Sequence, residues 1–194
     1  MEMNPAGQPV KPVHVYLKPG ELCISERPVV VTTVLGSCVS VTLFHRARGL
    51  AAICHALQPR CQLNRSCQTP CEARYRYTSC VIDEMGKHMV KRGARLKELE
   101  VKLFGGAAVI GRSNGSPATA NSIGQQNVAA AMEALIKAGM TLNVADVGGG
   151  FGRKLIFNTG NGEVLLKRIQ NCGVRAETGR LFRANTALRQ AKAW

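Results

Sequence analysis

The pattern of apolar and polar positions predicts short strands first. Val29 to Val34 is dominated by β-branched residues, as a buried strand would be. Leu35-Gly36-Ser37 interrupts that run as a turn, and Val39 to Leu43 alternates apolar with polar in the strand period. After the loop Arg46-Ala47-Arg48-Gly49, Leu50 to Leu57 is a third strand, ended by Pro59. Gln58 to Cys71 is polar and basic and reads as a loop. Between Cys71 and Lys91, Tyr77, Val81, Met85 and Met89 recur at helical spacing, which predicts an amphipathic helix stopped by Gly93. Leu99 to Phe104 is a strand leading into Gly105-Gly106. A second helix is capped by Asn121 or Ser122, carries Val128, Met132, Leu135 and Ile136 on its apolar face, and closes at Gly139. Leu142 to Val147 is a strand, and Leu155 to Phe157 forms a hairpin with Val164 to Lys167 around Asn161-Gly162. Strands mixed with two main helices place the chain in the α+β class, as a layered α-β-β sandwich with mixed sheets.

A length of 194 residues suits one domain, assigned here to residues 1–172 with a short N-terminal extension. Residues 173–194 form a basic tail. The chain carries 26 Lys and Arg against 12 Asp and Glu, a net charge of +14, so its surface attracts acidic partners. Aromatics are only 5%, which leaves little surface for stacking on bases, and no nucleic-acid partner is expected. No apolar run is long enough to span a bilayer, so membrane insertion is not expected. Met1 to Pro12 lacks the apolar core of a secretory signal. The expected location is the cytoplasm, where the eight cysteines are thiols or metal ligands rather than a disulfide framework.

Cysteine hydrolysis needs a thiol, a nearby imidazole and a group that orients the imidazole. Cys38 and His55 lie on adjacent predicted strands. A turn centred between Arg46 and Ala47 would set them face to face, within reach of a thiolate–imidazolium pair that lowers the thiol pKa. The bland alternative is that both are packing residues, since Cys is among the most buried types. His14, His45 and His88 are read as surface or structural. Cys61, Cys67, Cys71 and Cys80 lack a Cys-x2-Cys pair, yet four neighbouring thiols leave zinc or an iron–sulfur cluster open. Gly105-Gly106 and Gly148-Gly149-Gly150 are not followed by Lys-Ser/Thr, so they read as sites of close backbone packing rather than phosphate loops.

Several segments together resemble one family. Leu-Gly-Ser-Cys-Val-Ser-Val at 35–41, with Thr32 before it and His55 after it, resembles the active-site signature of the CheD chemoreceptor glutamine deamidases. Phe104-Gly105-Gly106-Ala107, Ile123-Gly124-Gln125-Gln126-Asn127-Val128, and Asp146-Val147-Gly148-Gly149 with Gly152-Arg153-Lys154 resemble the family's later motifs in the same order. The resemblance implies Cys38 as nucleophile, His55 as base and Thr32 as the residue orienting His55, with no cofactor and no metal. It implies methyl-accepting chemotaxis receptors as substrates, glutamine converted to glutamate through a thioester, and a CheC-type phosphatase as partner. Gln126 and His45-Arg46 depart from the usual family residues without touching the triad. The competing expectation is a non-enzymatic basic binding module with a cysteine-bound metal.

Overall fold

The computed structural model describes residues 12–61, 71, 73–108, 122–169 and 189–190. In chain order the elements are β1 (Val13–Tyr16), β2 (Leu22–Ser25), β3 (Val29–Leu35), β4 (Val39–His45), β5 (Leu50–Cys54), α1 (Thr78–Lys91), β6 (Glu100–Gly105), α2 (Ile123–Lys137), β7 (Leu142–Val147), β8 (Gly152–Asn158), β9 (Val164–Ile169) and β10 (Arg189–Gln190). They build two five-stranded sheets, ordered β1-β3-β8-β9-β10 and β2-β5-β4-β6-β7. Each sheet is mixed, because β1 runs parallel to β3 and β6 runs parallel to β7. The layered α-β-β architecture is as expected.

Strand alternation decides which layer each residue joins. Val39, Val41 and Leu43 of β4, with Leu50, Ala52 and Cys54 of β5, pack against Val81, Ile82, Met85 and Met89 of α1 and Ala131 and Leu135 of α2. The opposite face, with Phe44, Ala51, Ile53 and Phe104, packs against Val31, Leu35, Leu155 and Phe157 of the other sheet. Strands β4 and β5 are therefore buried on both faces. A polar side chain on either strand must find its partner inside the protein.

The helices differ from expectation in instructive ways. Helix α1 begins at Thr78, not near Cys71. Tyr77 is extended and bridges to Gln58, and a 3-10 turn at Arg74–Arg76 precedes it. Helix α2 starts after Ser122, whose hydroxyl and the Gln125 side chain form a reciprocal capping box. Its buried face, however, is Gly124, Asn127, Ala130, Ala131 and Leu135. Of the four large residues expected inward, Leu135 and Val128 pack into the core, whereas Met132 is 40% and Ile136 is 74% exposed. The reason is close approach: a Cβ on Gly124 would stand 2.5 Å from the Gly106 carbonyl oxygen, so only small residues fit this contact.

Two N-terminal strands, β1 and β2, were not expected, and both edge the site. The N-terminal extension at 1–11 and the tail at 173–188 and 191–194 lie outside the described residues. Within the tail, Arg189 and Gln190 pair with Leu166 and Leu165 of β9.

Candidate active site

Strands β4 and β5 form a hairpin whose register differs from the expected one. His45 pairs with Leu50 and Thr42 with Ile53. The loop is a 3-10 turn at Arg46–Arg48 closed by Gly49 in the left-handed region, so its centre falls between Ala47 and Arg48. The same register continues to a bridge between Val39 and Ala56. His55 therefore sits opposite Ser40, and Cys38 lies diagonal to His55 rather than facing it. Because the shift is two residues along one strand, both side chains stay on the same face. That face looks into the gap between the sheets, where Cys38 packs against the inter-sheet core. Diagonal neighbours have Cα atoms about 7–8 Å apart, with their Cβ atoms closer.

His55 is 2% exposed, and its hydrogen bonds fix its tautomer. Thr33 Oγ1 donates to the Leu17 carbonyl oxygen at 2.8 Å, which uses the only proton of that hydroxyl. Thr33 Oγ1 also lies 2.8 Å from His55 Nδ1, so it accepts the Nδ1 proton. The lone pair is thus on Nε2, which is buried and has no partner among the described residues. Thr33 can reach His55 because Val31, Thr33 and Leu35 share the inward face of β3. Thr32, which the family resemblance gave this role, lies on the other face by the same alternation and is only partly buried. The hydroxyl on His55 is Thr33's.

Burial pushes the Cys38 thiol up, against the opposing pull of its own backbone N–H. Burial also pushes His55 down, opposed by the Leu17 carbonyl and by Glu21. Both effects favour the uncharged forms, thiol and imidazole. The low-dielectric space between two packed sheets is the cause. Ser40, across from His55, is also fully buried, and its hydroxyl has no partner among the described residues.

Glycine contacts stitch the Cys38 loop in place. Ala107 N–H donates to Gly36 O at 2.9 Å, and Gly106 N–H donates to Cys38 O at 2.8 Å. Gly105 has φ 108°, and a Cβ there would run into the Cys38 carbonyl. Gly148 N–H in turn donates to Gly105 O, and Ala108 N–H to Gly149 O, both at 2.8 Å. Asn127, fully buried at the start of α2, donates from Nδ2 to Ser37 O and to Leu57 O, each at 2.9 Å. Sequence reasoning named the segments holding Asn127 and these glycines without giving Asn127 a task, and it missed Thr33 and Leu17.

The other histidines stand apart from this cluster. His45 pairs through Nε2 with Glu98 at 3.0 Å, His88 meets Arg92, and His14 lies on β1. Of the loop cysteines, Cys61 and Cys71 lie near Cys80 at the start of α1; burial first, then their proximity, pushes the Cys80 thiol up. Cys67 is outside the described residues. Among the described residues no three His, Cys, Asp or Glu side chains form a metal-binding group. No helix among them is long and apolar enough to cross a membrane.

Comparison with known proteins gives one answer. The family described as CheD chemotactic sensory transduction matches residues 62–168. A protein of Geobacter sulfurreducens named probable chemoreceptor glutamine deamidase CheD 2 is 46% identical over 156 residues, covering 80% of this chain and 90% of that one. Proteins named probable chemoreceptor glutamine deamidase CheD from Maridesulfovibrio salexigens and Oleidesulfovibrio alaskensis are 40% and 42% identical, over 80% and 81% of this chain and 92% and 74% of theirs. The family match begins after His55. The 156-residue match to the Geobacter protein must include it, because fewer residues than that follow His55.

Proposed function

The chain belongs to the CheD family, and we propose that it is a cytoplasmic cysteine hydrolase that deamidates glutamine side chains of methyl-accepting chemotaxis receptors. The observation that carries the proposal is the set tautomer of His55. Its Nδ1–H is held by Thr33, and its Nε2, without a partner among the described residues, shares an inter-sheet face with Cys38.

The reaction follows from these groups. As the substrate carboxamide enters, His55 Nε2 takes the Cys38 thiol proton, and the sulfur attacks the carboxamide carbon. The carbonyl π electrons move onto oxygen, and the resulting oxyanion needs backbone donors nearby. On collapse, the C–N bond breaks and the imidazolium gives its proton to nitrogen, which departs as ammonia. A thioester remains. His55 then deprotonates water, hydroxide adds to the thioester carbon, and the C–S bond breaks. Glutamate and the free thiol result. Burial favours the neutral imidazole, so the base is available at neutral pH to take the thiol proton. Thr33 keeps the lone pair on the reacting nitrogen. The basic surface suits acidic receptor helices, and a CheC-type phosphatase is the partner the family resemblance implies.

The test is mass spectrometry of a receptor cytoplasmic fragment after incubation with the wild-type chain and with Cys38→Ala. The expected result is a gain of about one dalton at specific glutamines with wild type only, as replacement of amide by acid requires. A receptor unchanged by wild type, or changed equally by Cys38→Ala, would refute the reading.

A further inference from the structure

Three consecutive carbonyls around the nucleophile are tied down. Gly36 O is held by the Ala107 N–H and Cys38 O by the Gly106 N–H, both backbone donors. Between them, Ser37 O is held by Asn127 Nδ2 at 2.9 Å. Only this middle tether is a side chain. The same Nδ2 also reaches Leu57 O at 2.9 Å, so one amide group spans the ends of both hairpin strands, beside Cys38 on one and two residues past His55 on the other.

The orientation of that amide is unambiguous. Two carbonyl oxygens face its nitrogen, and only the NH₂ end can donate to both. Oδ1 lies 3.5 Å from Thr78 Oγ1 in the first turn of α1, but the single proton of that hydroxyl goes to Gln58 O at 2.9 Å, so the amide is held by its own two donated bonds. Asn127 is itself held by the contact that brings α2 onto the Gly106 loop, where Gly124 leaves no room for a Cβ. The Gly124 and Asn127 positions of the motif thus act together: one lets the helix approach, the other uses the approach.

The consequence lies on the other side of the peptide. In a trans peptide the C=O of Ser37 and the N–H of Cys38 point in opposite directions. A carbonyl fixed towards Asn127 therefore aims the Cys38 N–H away from α2. Among the described residues no carbonyl accepts from the Cys38 N–H, which leaves it for an oxygen on the carbon that the sulfur attacks. We propose that Asn127 is a positioning residue that sets the Ser37–Cys38 peptide plane and so aims the Cys38 N–H as an oxyanion donor. This rests on the deamidase reading and assigns Asn127 no contact with substrate.

The experiment separates acyl chemistry from thiol reactivity. Alkylation of Cys38 by iodoacetamide is a displacement at carbon that forms no oxyanion, whereas deamidation does. Asn127→Asp keeps the shape but sets a carboxylate against two carbonyls, and Asn127→Ala removes the tether. In folded variants, verified by melting curves, kcat on the receptor fragment should fall by about 10²-fold, the scale of losing an oxyanion donor, with KM nearly unchanged. The pH profile of Cys38 alkylation, followed by peptide mass spectrometry, should stay as in wild type, while His55→Ala should shift it. If neither Asn127 variant folds, Asn127→Ser, which keeps a small polar side chain but is too short to span both carbonyls, should fold and show the same fall in kcat. Wild-type kcat in a folded Asn127 variant, or parallel loss of alkylation and turnover, would overturn the inference alone. A wild-type chain that deamidates nothing would overturn it together with the functional reading.

Discussion

Thr33 Oγ1 and His55 Nδ1 meet at 2.8 Å across the gap between two sheets, one residue contributed by each. The contact couples sandwich packing to the protonation of the imidazole. Thr33→Val keeps the shape and the β-branch but removes the acceptor. A neutral hydrogen bond is worth about 1 kcal/mol, so kcat/KM should fall by about 5–10-fold. Thr32→Val, on the other face of β3, should leave kcat/KM close to wild type. Steady-state assays of both variants on a receptor fragment decide the matter, and the opposite ranking would return the role to Thr32.

His55 predicts the acid limb of the activity profile. Burial lowers its pKa from 6.5, the Leu17 carbonyl and Glu21 opposing, and the base works only when neutral. Half-maximal kcat/KM on the acid side should therefore fall below pH 6.5. The same shift has a stability consequence of definite sign. Between the folded and unfolded pKa values the unfolded chain binds the extra proton, so stability from this group drops as pH falls from 6.5 towards the folded value. Replacing His55 by Gln should remove that part of the pH dependence in urea unfolding. An acid limb above pH 6.5 would contradict the buried, neutral base.

The hairpin carrying Cys38 and His55 was legible in the sequence because β-branched runs and alternation mark strands directly. Their shared face survived an error in register, since the true turn centre shifts the pairing by two residues rather than one. Thr33 was not legible: choosing between adjacent threonines needs the facing of β3 in a sandwich, and the preceding turn hides the parity. The α2 face was misjudged for a different reason. Leu135 and Val128 face the core as expected, but periodicity counts large apolar residues, whereas the close contact of this helix is made through Gly124, Ala130 and Ala131, leaving Met132 and Ile136 outside. Strands β1 and β2 are short and half-exposed and give little periodic signal.

Gly124 offers a direct test of that close contact. Elsewhere in a helix, Gly→Ala gains about 1 kcal/mol from propensity. Here the new Cβ would stand 2.5 Å from Gly106 O and 2.8 Å from Ala107 O, both backbone atoms that cannot swing aside. Overpacking of this kind costs about 1–3 kcal/mol and should outweigh the propensity gain. Gly124→Ala should lower Tm by several degrees, at about 2–4 °C per kcal/mol for a chain of this size. It should also lower kcat, because the Gly106 loop holds the Cys38 carbonyl. A raised Tm would show that the helix can retreat without cost.

Asp146 clamps the two sheets at the end near the glycine loops. It sits on β7 of one sheet and accepts from Arg153 Nε on β8 and from an Arg168 guanidinium nitrogen on β9 of the other, each at 2.7 Å. Arg153 is 3% exposed and also donates to Phe151 O at 3.0 Å, so its charge has little access to water. Burial works to raise the Asp146 pKa, but the bonds from Arg153 and Arg168 outweigh it and hold the carboxyl below 3.8. A depressed carboxyl pKa contributes stability above the unfolded value, and that stability is lost as pH falls through the folded value. The clamp should therefore be fully present at neutral pH and released only below about pH 4. Removing the partly exposed Asp146 carboxylate leaves the buried Arg153 charge without its counterion, so Asp146→Asn should destabilise by about 2 kcal/mol at pH 7 and flatten the acid part of the stability profile. Arg153→Met in the Asp146→Asn background removes the stranded guanidinium and should recover part of the loss. Urea midpoints of the three proteins between pH 7 and pH 3 test this; an Asp146→Asn chain as stable as wild type at pH 7 would show that solvent reaches Arg153 and that the sheets are held by their apolar core alone.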